Sequence, residues 1–409
     1  MSGALQGVRV VELCDLMEGP LAGQSLGDLG AAVIKVEQGP QGDRMRVLDC
    51  QASQNDCVSA PFVALNRDKR SIVLNLETHG GMNVLHQLIA DADVLVHNCC
   101  AAALSSLGLG YPSLAERYPR LIVAGITAYG HTGPLAHRAG HDLLAQSMSG
   151  LAGAAGDDAG TPRLNPTAHV AYGAASQLVQ GILAALLERG SSGLGQEVNV
   201  NLLDTAVAMQ GLEAAARTMY GAELNWLAQH YSGVFRTADG AITVLGLLHD
   251  NPVRQVCAAL AIPDLSARPD LTTAGLQARN KKVVNDVVAP LVARLSTEEA
   301  LAHFDEADLL CAPLLTLDQA LRHPQVEANA LLADVEVPGQ IPTQVVGSPA
   351  RLSRSVAAAP SEIPHLGQHT VDVLTDLGFR REQIAELSTQ HAIRTRDDEV
   401  ADAYARNYL

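Results

Sequence analysis

The sequence predicts an α/β fold built around a doubly wound parallel sheet. Hydrophobic residues make up 47% of the 409 residues and aromatic residues only 3%, a composition more typical of closely packed helix and strand layers than of a β-sandwich. Short β-branched runs alternate with helical segments through about residue 130. That alternation is the pattern of successive βαβ units.

The predicted strands are short, nearly continuous apolar runs, which suit parallel strands buried on both faces. They are VRVVEL (8–13), AVIKVE (32–37), SIVLNL (71–76), DVLVHN (93–98) and LIVAGITAY (121–129). Helical segments at 19–30 and 78–92 lie between them. Further helices are predicted at about 141–152, 170–189 and 202–216.

The chain divides into three segments in this interpretation: 1–222 as the first part of a large domain, 223–330 as a small inserted α+β domain, and 331–409 as a return segment with a C-terminal tail. The small domain opens with a predicted hairpin whose turn is Asp239-Gly240. The segment VEVPGQIPTQVVGSP is expected to be extended, and the charged tail RTRDDEVADAYARNYL to be a surface helix.

Composition excludes several classes of function. The net charge is −16 and the sequence holds no basic block, so a nucleic-acid surface is not expected. The seven cysteines form no CxxC pair, which predicts reduced thiols and a cytoplasmic protein. The N-terminus lacks the pattern of a signal peptide, and no uninterrupted apolar run approaches a membrane span, so no membrane partner is expected.

Several ordered motifs resemble those of class III CoA-transferases, the family that includes formyl-CoA and carnitine CoA-transferases and the α-methylacyl-CoA racemases. They are GVRVVELCDLMEGPLAGQSLGDLGAAVIKVEQGPQGDRMR, LNRDKRSIVLNL, ADVLVHN, LGLGYPSLAERYPRLIVAGITAYGHTGP, LAALLERGSSGLGQEVNVNLLD and LGQHTVDVL. The resemblance implies a Rossmann-like large domain and two chains threaded into an interlocked dimer, which would be a rare exception to unthreaded topology. It implies a homodimer, with a heterodimer left open, an acyl-CoA thioester as substrate and no permanently bound cofactor.

The catalytic position of this resemblance holds an unexpected residue. In the family an Asp lies four residues before a Gly at the start of the helix that continues as GILAALLERG, and here that position is His169. The family carboxylate attacks the thioester and carries first the acyl group and then CoA. An imidazole cannot accept CoA in that way, and a helix N-terminus favours its neutral form, so His169 is expected to act as a base.

Two further positions support proton transfer in this resemblance. His141 and Asp142 match a Gly-His-Asp motif of the racemases, whose His takes part in proton transfer. A His141/His169 pair could therefore act on the two faces of an α-carbon. His249 aligns with an active-site Glu of the racemases, although a structural role in a loop is the better expectation for it.

Substrate contacts are expected from a wider set of positions. They are Met17, Glu18, Lys35, Arg70, Leu74, Asn98, Tyr129 and His249. Three positions where relatives carry cations for the CoA phosphates hold Gln38, Glu77 and Ser106 instead, so CoA is expected to bind weakly unless other cations compensate. The candidates for compensation are Lys35, Arg67, Lys69 and Arg70.

Structural roles compete with these interpretations. A single His at an Ala-rich helix entrance is usually a satisfied hydrogen-bonding residue rather than a catalyst. His131, His137 and His141 with Cys99 and Cys100 lack the regular spacing of metal ligands, so no metal is predicted. The GLGLG run at 106–110 joins no strand to a helix in the dinucleotide manner, so NAD is not implied.

Three functions remain open from the sequence. The first is thioester chemistry of the family, by CoA transfer as the default or by proton transfer at an α-carbon. The second is a catalytically inactive binding subunit. The third is an enzyme repurposed for a substrate that is not a CoA ester, because fold alone does not fix function.

Overall fold

The computed structural model describes residues 3–39, 41–48, 58–154, 161–337, 342–355 and 362–396. Its strands are β1 (Arg9–Leu13), β2 (Ala32–Glu37), β3 (Arg70–Leu74), β4 (Val94–His97), β5 (Ile122–Thr127), β6 (Glu197–Asn201), β7 (Ser232–Arg236), β8 (Ala241–Leu245), β9 (Leu310–Pro313), β10 (Leu332–Val335), β11 (Thr343–Val346) and β12 (Ile393–Arg394). The described α-helices are α1 (Glu18–Asp28), α2 (Ala60–Asn66), α3 (His79–Asp91), α4 (Ala101–Ser106), α5 (Tyr111–Arg117), α6 (Asp142–Ser149), α7 (Leu151–Ala154), α8 (His169–Ser192), α9 (Leu202–Ala208), α10 (Gly211–Tyr220), α11 (Trp226–Gln229), α12 (Pro252–Ala259), α13 (Ala274–Arg279), α14 (Lys281–Val292), α15 (Thr297–Glu306), α16 (Leu317–Leu321), α17 (Pro324–Ala328), α18 (Thr370–Asp376) and α19 (Arg381–Thr389). Short 3-10 helices span Arg44–Val47 and Leu265–Ala267.

The chain forms two compact units, one from Met1–Met209 with Asn329–Leu409 and one from Gln210–Ala328. The second unit starts earlier than residue 223, because α10 belongs to it. The prediction of a single helix over 202–216 is wrong, because α9 ends at Ala208 and a separate helix, α10, starts at Gly211. The division between the two units falls at that break.

The first unit is built on a seven-stranded sheet in the order β12-β3-β2-β1-β4-β5-β6. All its neighbours pair in parallel except the antiparallel edge strand β12. The direction of winding reverses between β1 and β4, as in doubly wound nucleotide-binding folds. The prediction of an α/β fold with a Rossmann-like sheet is therefore confirmed.

Helices cover both faces of this sheet. On one face α1 and α8 pack through small and aliphatic side chains, including Ala22, Leu26, Ala171, Ala174 and Leu178. On the other face α3, α18 and α19 cover Val11, Ile72, Leu95 and neighbouring strand residues. Burial of these two aliphatic layers stabilises the sheet by roughly 25 cal/mol per Å² of apolar surface.

Helix α8 is apolar and long enough to cross a membrane by length and composition. In the fold it packs against β5, β6 and α1, and its buried side chains belong to the core. Its end is marked by Gly193, whose φ of 77° lies in the left-handed region that glycine adopts without cost. These contacts identify α8 as a core helix.

The return segment, predicted to be one extended stretch, instead contains two strands that pair with each other. Strand β10 pairs antiparallel with β11, matching Leu332 with Val346 and Val335 with Thr343. Strand β12 then completes the large sheet. Most of the charged tail, from residue 397 onward, lies outside the described residues.

The second unit holds the antiparallel sheet β7-β8-β9. Strands β7 and β8 pair from Ser232↔Leu245 to Arg236↔Ala241, so the hairpin predicted around Asp239-Gly240 is confirmed. Its own core surrounds Tyr231, Phe235, Val284 and Phe304.

Candidate functional site

The candidate site lies where β1 and β4 end, at the reversal point of the sheet, which is the usual ligand position in open α/β folds. Asp15 follows β1 and Asn98 follows β4. The Asn98 amide donates to the Asp15 carbonyl at 2.8 Å, and the Asp15 amide donates to Asn98 Oδ1 at 3.4 Å. These bonds close the two strand ends against each other.

The turn between β1 and α1 is held by a buried side chain. Leu16 has a φ of 64°, which is rare for a residue with a Cβ, and its amide donates to Asp43 Oδ1 at 3.0 Å. Met17 and Glu18 follow immediately and are half-buried. The carboxylate of Asp43 therefore fixes the turn that places these two residues at the carboxyl edge of the sheet.

Glu18 is the first residue of α1. Burial raises the pKa of its carboxyl group; the charge of His141 opposes this shift, whereas Asp142 and Asp15 add to it. The influences of His141 and Asp142 place Glu18 within electrostatic range of the His141-Asp142 motif.

Lys35 was predicted to contact substrate, and the structure shows this to be wrong. Its side chain is fully buried, and its ammonium group bonds Glu12 at 2.8 Å, Asp43 at 2.7 Å and the Cys14 carbonyl at 3.0 Å. Burial opposes its charge, but the carboxylates of Glu12, Asp43 and Glu37 outweigh burial and raise the pKa of Lys35. These three partners enclose the buried ammonium group, so it is not available to a phosphate.

Lys69 and Arg67, two of the cations expected to compensate in phosphate binding, are also buried and paired with other side chains. Lys69 bonds Glu12 at 2.7 Å and Asn66 at 2.9 Å, and Arg67 bonds Asp28 at 2.6 Å. Burial lowers the pKa of Lys69 to about 8, although the Glu12 carboxylate opposes that shift.

Arg70 and Leu74 are placed by the direction of β3. Arg70 starts the strand, at the amino edge of the sheet opposite the candidate site, where it pairs with Asp376 at 2.8 Å and lines a cavity of about 190 Å³ with Arg9. Leu74 ends the strand, but its side chain is completely buried in the core. Neither side chain is available at the carboxyl edge, which corrects the expectation for both.

The three positions at which the resemblance led us to expect cations for the CoA phosphates are exposed. Gln38 follows β2, Glu77 follows β3, and Ser106 ends α4 with its hydroxyl donating to the Ala103 carbonyl at 2.8 Å. The expectation of weak CoA binding stays a prediction.

Asp142 is buried and joins α6 to the start of α8. Its Oδ2 accepts a hydrogen bond from the Ala171 amide at 2.8 Å, and its Oδ1 accepts one from Gln146 at 2.6 Å. Gln146 also bonds both backbone groups of Asn165, in the segment that precedes α8. Asp142 therefore positions the residues around His169, and both of its oxygens are occupied.

The two histidines at these helix starts have different hydrogen bonds. His169 Nδ1 lies 3.0 Å from the Thr167 carbonyl, which can only accept, so Nδ1 carries the proton and Nε2 keeps its lone pair. His141 Nδ1 instead accepts from the Leu143 amide at 3.3 Å, which places the proton of the neutral ring on Nε2. The ring of Tyr129 lies against the backbone of Gly140, next to His141.

The sequence interpretation did not single out His97. It ends β4 with 1% of its surface exposed, and its ring lies 6.1 Å from that of His131 between ring centres. Burial, with the neighbouring His131, lowers the pKa of His97 to about 4, so it is neutral near pH 7. The available signal in the sequence was a His directly before Asn98 at the end of a predicted strand. In the structure, Gly125 on the adjacent strand leaves space for the His97 ring.

His249 lies in the second unit. Its Nε2 donates to the Asp308 carbonyl at 2.6 Å within that unit. Over the described parts of the chain, no three His, Cys, Asp or Glu side chains form a group that could hold a metal ion.

Comparisons with known proteins cover almost the whole chain. A family model described as CoA-transferase family III matches residues 5–370. An acyl-CoA transferase of Fusarium pseudograminearum is 33% identical over 94% of this chain and 87% of its own length. The succinyl-CoA:glutarate CoA-transferase of Mus musculus is 33% identical over 91% of this chain and 86% of its own length. The crystal structure of a CAIB/BAIF family protein from Brucella suis has a TM-score of 0.82 and 27% identity, covering 92% of this chain and all of that one.

Proposed function

Because the chain belongs to CoA-transferase family III, we propose that it moves CoA from an acyl-CoA thioester to a free carboxylic acid. The related mouse enzyme is named for succinyl-CoA and glutarate, so short dicarboxylic acids are the first class of acceptor to test.

One arrangement supports this proposal most strongly. Glu18 and His169 are the first residues of α1 and α8, and these two helices pack against each other on one face of the sheet. Helix α1 leaves the carboxyl end of β1, whereas Arg189 near the end of α8 bonds the Arg120 carbonyl at the amino end of β5. Both helices therefore start at the carboxyl edge, where the substrate is expected.

Proton transfer at the α-carbon of an acyl thioester is the second candidate. The hydrogen bonds described above leave His169 Nε2 able to accept a proton and His141 Nε2 able to donate one. Two imidazoles in opposite tautomers suit removal of one proton and return of another.

Two measurements separate these reactions. Transfer is tested by incubating the purified protein with succinyl-CoA and glutarate and following new thioesters by chromatography. Proton transfer is tested by mass spectrometry of a 2-methylacyl-CoA incubated in heavy water. Deuterium at the α-carbon, lost in His169→Ala, would favour the second candidate; new thioester without deuterium would favour transfer. Failure of both reactions would leave a non-CoA substrate or a binding role.

A dimer is part of the proposal. Helix α10 of the second unit has no buried residue, and it exposes 62% of Leu212, 68% of Met219 and 75% of Tyr220. Apolar surface of this extent on one helix is typical of a protein interface. We expect a homodimer, with a heterodimer as the alternative, and sedimentation of the purified chain distinguishes a self-associating chain from one that needs a different subunit.

A cytoplasmic location is also proposed. Cys14, Cys99, Cys100, Cys257 and Cys311 are free thiols, while Cys50 and Cys57 lie outside the described residues. Free thiols are typical of a reducing compartment. Fractionation of cells that express the protein tests this location.

A further inference from the structure

Transfer through a covalent intermediate requires a carboxylate that is free to react, and His169 does not supply one. Three carboxylates lie around the start of α1 and α6: Asp15, Glu18 and Asp142. Asp142 has both oxygens engaged, at 2.6 and 2.8 Å. Asp15 pairs with Arg44 at 2.6 Å. No side chain in the described part of the protein pairs with the carboxylate of Glu18.

The backbone presents Glu18 at the right edge of the sheet. The left-handed turn at Leu16, fixed by Asp43, leads directly into the first turn of α1. Glu18 is thereby held at the reversal point between β1 and β4, beside the bonded strand ends of Asp15 and Asn98. Free N–H groups in the first turn of a helix favour negative charge that develops there.

Glu18 and His169 begin two helices, α1 and α8, that pack against each other. Asp142, whose negative charge acts on Glu18, accepts a hydrogen bond from the amide of Ala171. Ala171 lies two residues after His169 in the first turn of α8. Small residues in both helices, among them Ala22, Ala171 and Ala174, let α1 and α8 pack closely. The starts of α1 and α8 therefore lie at the same edge of the sheet and on the same face of it.

The surroundings of Glu18 suit a nucleophile. The side chain is half-buried, and burial raises the pKa of its carboxyl group. A carboxylate that is less well solvated and more basic attacks a carbonyl more readily, because less hydration is lost in the transition state.

We infer that Glu18 is the covalent carrier of the acyl group and then of CoA, an inference that rests on the proposed transferase function. A carboxylate oxygen of Glu18 attacks the thioester carbonyl, the C–S bond breaks, and CoA leaves as thiolate from a mixed anhydride. The thiolate then attacks the Glu18 carbonyl carbon, which releases the first carboxylic acid and leaves a glutamyl-CoA thioester. The acceptor carboxylate attacks this thioester to give a second anhydride, and the returning thiolate forms the new acyl-CoA and frees Glu18.

Chemical trapping tests this assignment directly. The wild-type protein is incubated with succinyl-CoA and quenched with hydroxylamine, which converts an anhydride or thioester of a side chain to a hydroxamate. Digestion and mass spectrometry then locate the modified residue. Glu18→Gln keeps the shape of the side chain but removes the nucleophile, and Glu116→Gln, at an exposed position of helix α5, is the matched control.

We expect a hydroxamate on Glu18 that depends on the acyl-CoA and is absent in Glu18→Gln. The succinyl-CoA:glutarate exchange rate of Glu18→Gln should fall by about a thousandfold or more, since loss of a covalent nucleophile has effects of that order, while Glu116→Gln keeps the wild-type rate. The melting temperature of each variant shows whether it folds, and the trapping of wild type does not depend on any variant.

The failure of this inference differs from the failure of the proposed function. Exchange by the wild type without a hydroxamate on Glu18, or with an unchanged rate in Glu18→Gln, would overturn the role of Glu18 and leave CoA transfer standing. Neither exchange nor hydroxamate across a panel of short acyl-CoA thioesters and dicarboxylic acids would overturn both.

Discussion

Asp142 accepts a hydrogen bond from the amide of Ala171 at 2.8 Å, and this bond joins helix α6 to the first turn of α8. The same carboxylate holds Gln146, which in turn bonds the backbone of Asn165. A side chain from one helix thus satisfies an amide at the start of another, a donor that has no partner within its own helix. The position of His169 follows from this contact, because it lies between Asn165 and Ala171.

Asp142→Ala should reduce both stability and activity. It removes a buried acceptor from a helix start, which costs about 1–3 kcal/mol of unfolding free energy. It also releases the segment that carries His169, so kcat should fall further than the fraction of folded protein does. Urea denaturation and exchange kinetics on the same preparation measure the two effects.

Ser296→Ala provides the control for Asp142→Ala. Ser296 caps α15 in the second unit by accepting from the Glu299 amide at 3.2 Å. Its loss should cost about 1 kcal/mol while kcat stays near wild type. Equal falls of kcat in the two variants would contradict a specific role of Asp142 in positioning His169.

Lys35→Met should destabilise the first unit severely. The substitution leaves the buried carboxylates of Glu12 and Asp43 without their shared cation, and breaking a buried pair in this way costs about 3–5 kcal/mol. Lys282→Met removes an ion pair from a side chain that is 84% exposed, so it should change stability by less than about 1 kcal/mol. Urea midpoints for the two variants should therefore differ widely, and similar midpoints would show that the buried lysine is dispensable.

The fold could be read from the sequence because the strand runs and the helices between them are local patterns. The burial of Lys35 could not be read from the sequence, since its partners come from another strand and from a loop. Glu12 lies opposite Lys35 in the register of β1 and β2, and Asp43 follows β2. A charged residue in each of two adjacent apolar runs was the available signal. It indicates burial only once the register is known.

The edge of the sheet at which Arg70 lies was available from the sequence. Arg70 comes directly before the predicted strand 71–76 and begins β3 in the structure, so in both it lies at the amino edge. The role we infer for Glu18 depends on two helices that are separated by more than a hundred residues and packed side by side, a tertiary relation that no local pattern contains.

Stability should fall in acid because of Glu37. Burial alone would raise its pKa, but bonds from Arg46 at 2.7 Å, together with Lys35 and the Asp43 amide, lower the pKa to about 2. A carboxyl group whose pKa is lower in the folded protein contributes stability above its ordinary pKa and loses it as pH falls toward the folded value. The window here runs from about 4.5 down to about 2, and the difference corresponds to about 3 kcal/mol.

Glu37→Gln should remove that part of the pH dependence. The variant should be less stable than wild type at pH 7, and the gap should narrow as pH falls through the window. Urea denaturation at a series of pH values measures it. Parallel curves for the two proteins would contradict the assignment to Glu37.

The affinity for CoA should be low in the wild type and should rise when a cation is introduced at position 77. Glu77 is exposed, and its amide donates to Asn75 Oδ1 at 3.1 Å, so the local turn does not depend on its side chain. A charge-assisted contact with a phosphate contributes about 1–3 kcal/mol, so Glu77→Lys should tighten CoA binding by roughly 5- to 150-fold. We expect wild-type binding near the millimolar range by calorimetry.

Two control variants accompany Glu77→Lys. Glu77→Gln separates the loss of charge repulsion from the gain of a contact, and Glu382→Lys adds a positive charge on α19 as the control for net charge. Micromolar binding by the wild type, or the same affinity in Glu77→Lys and Glu382→Lys, would show that CoA is held by other groups.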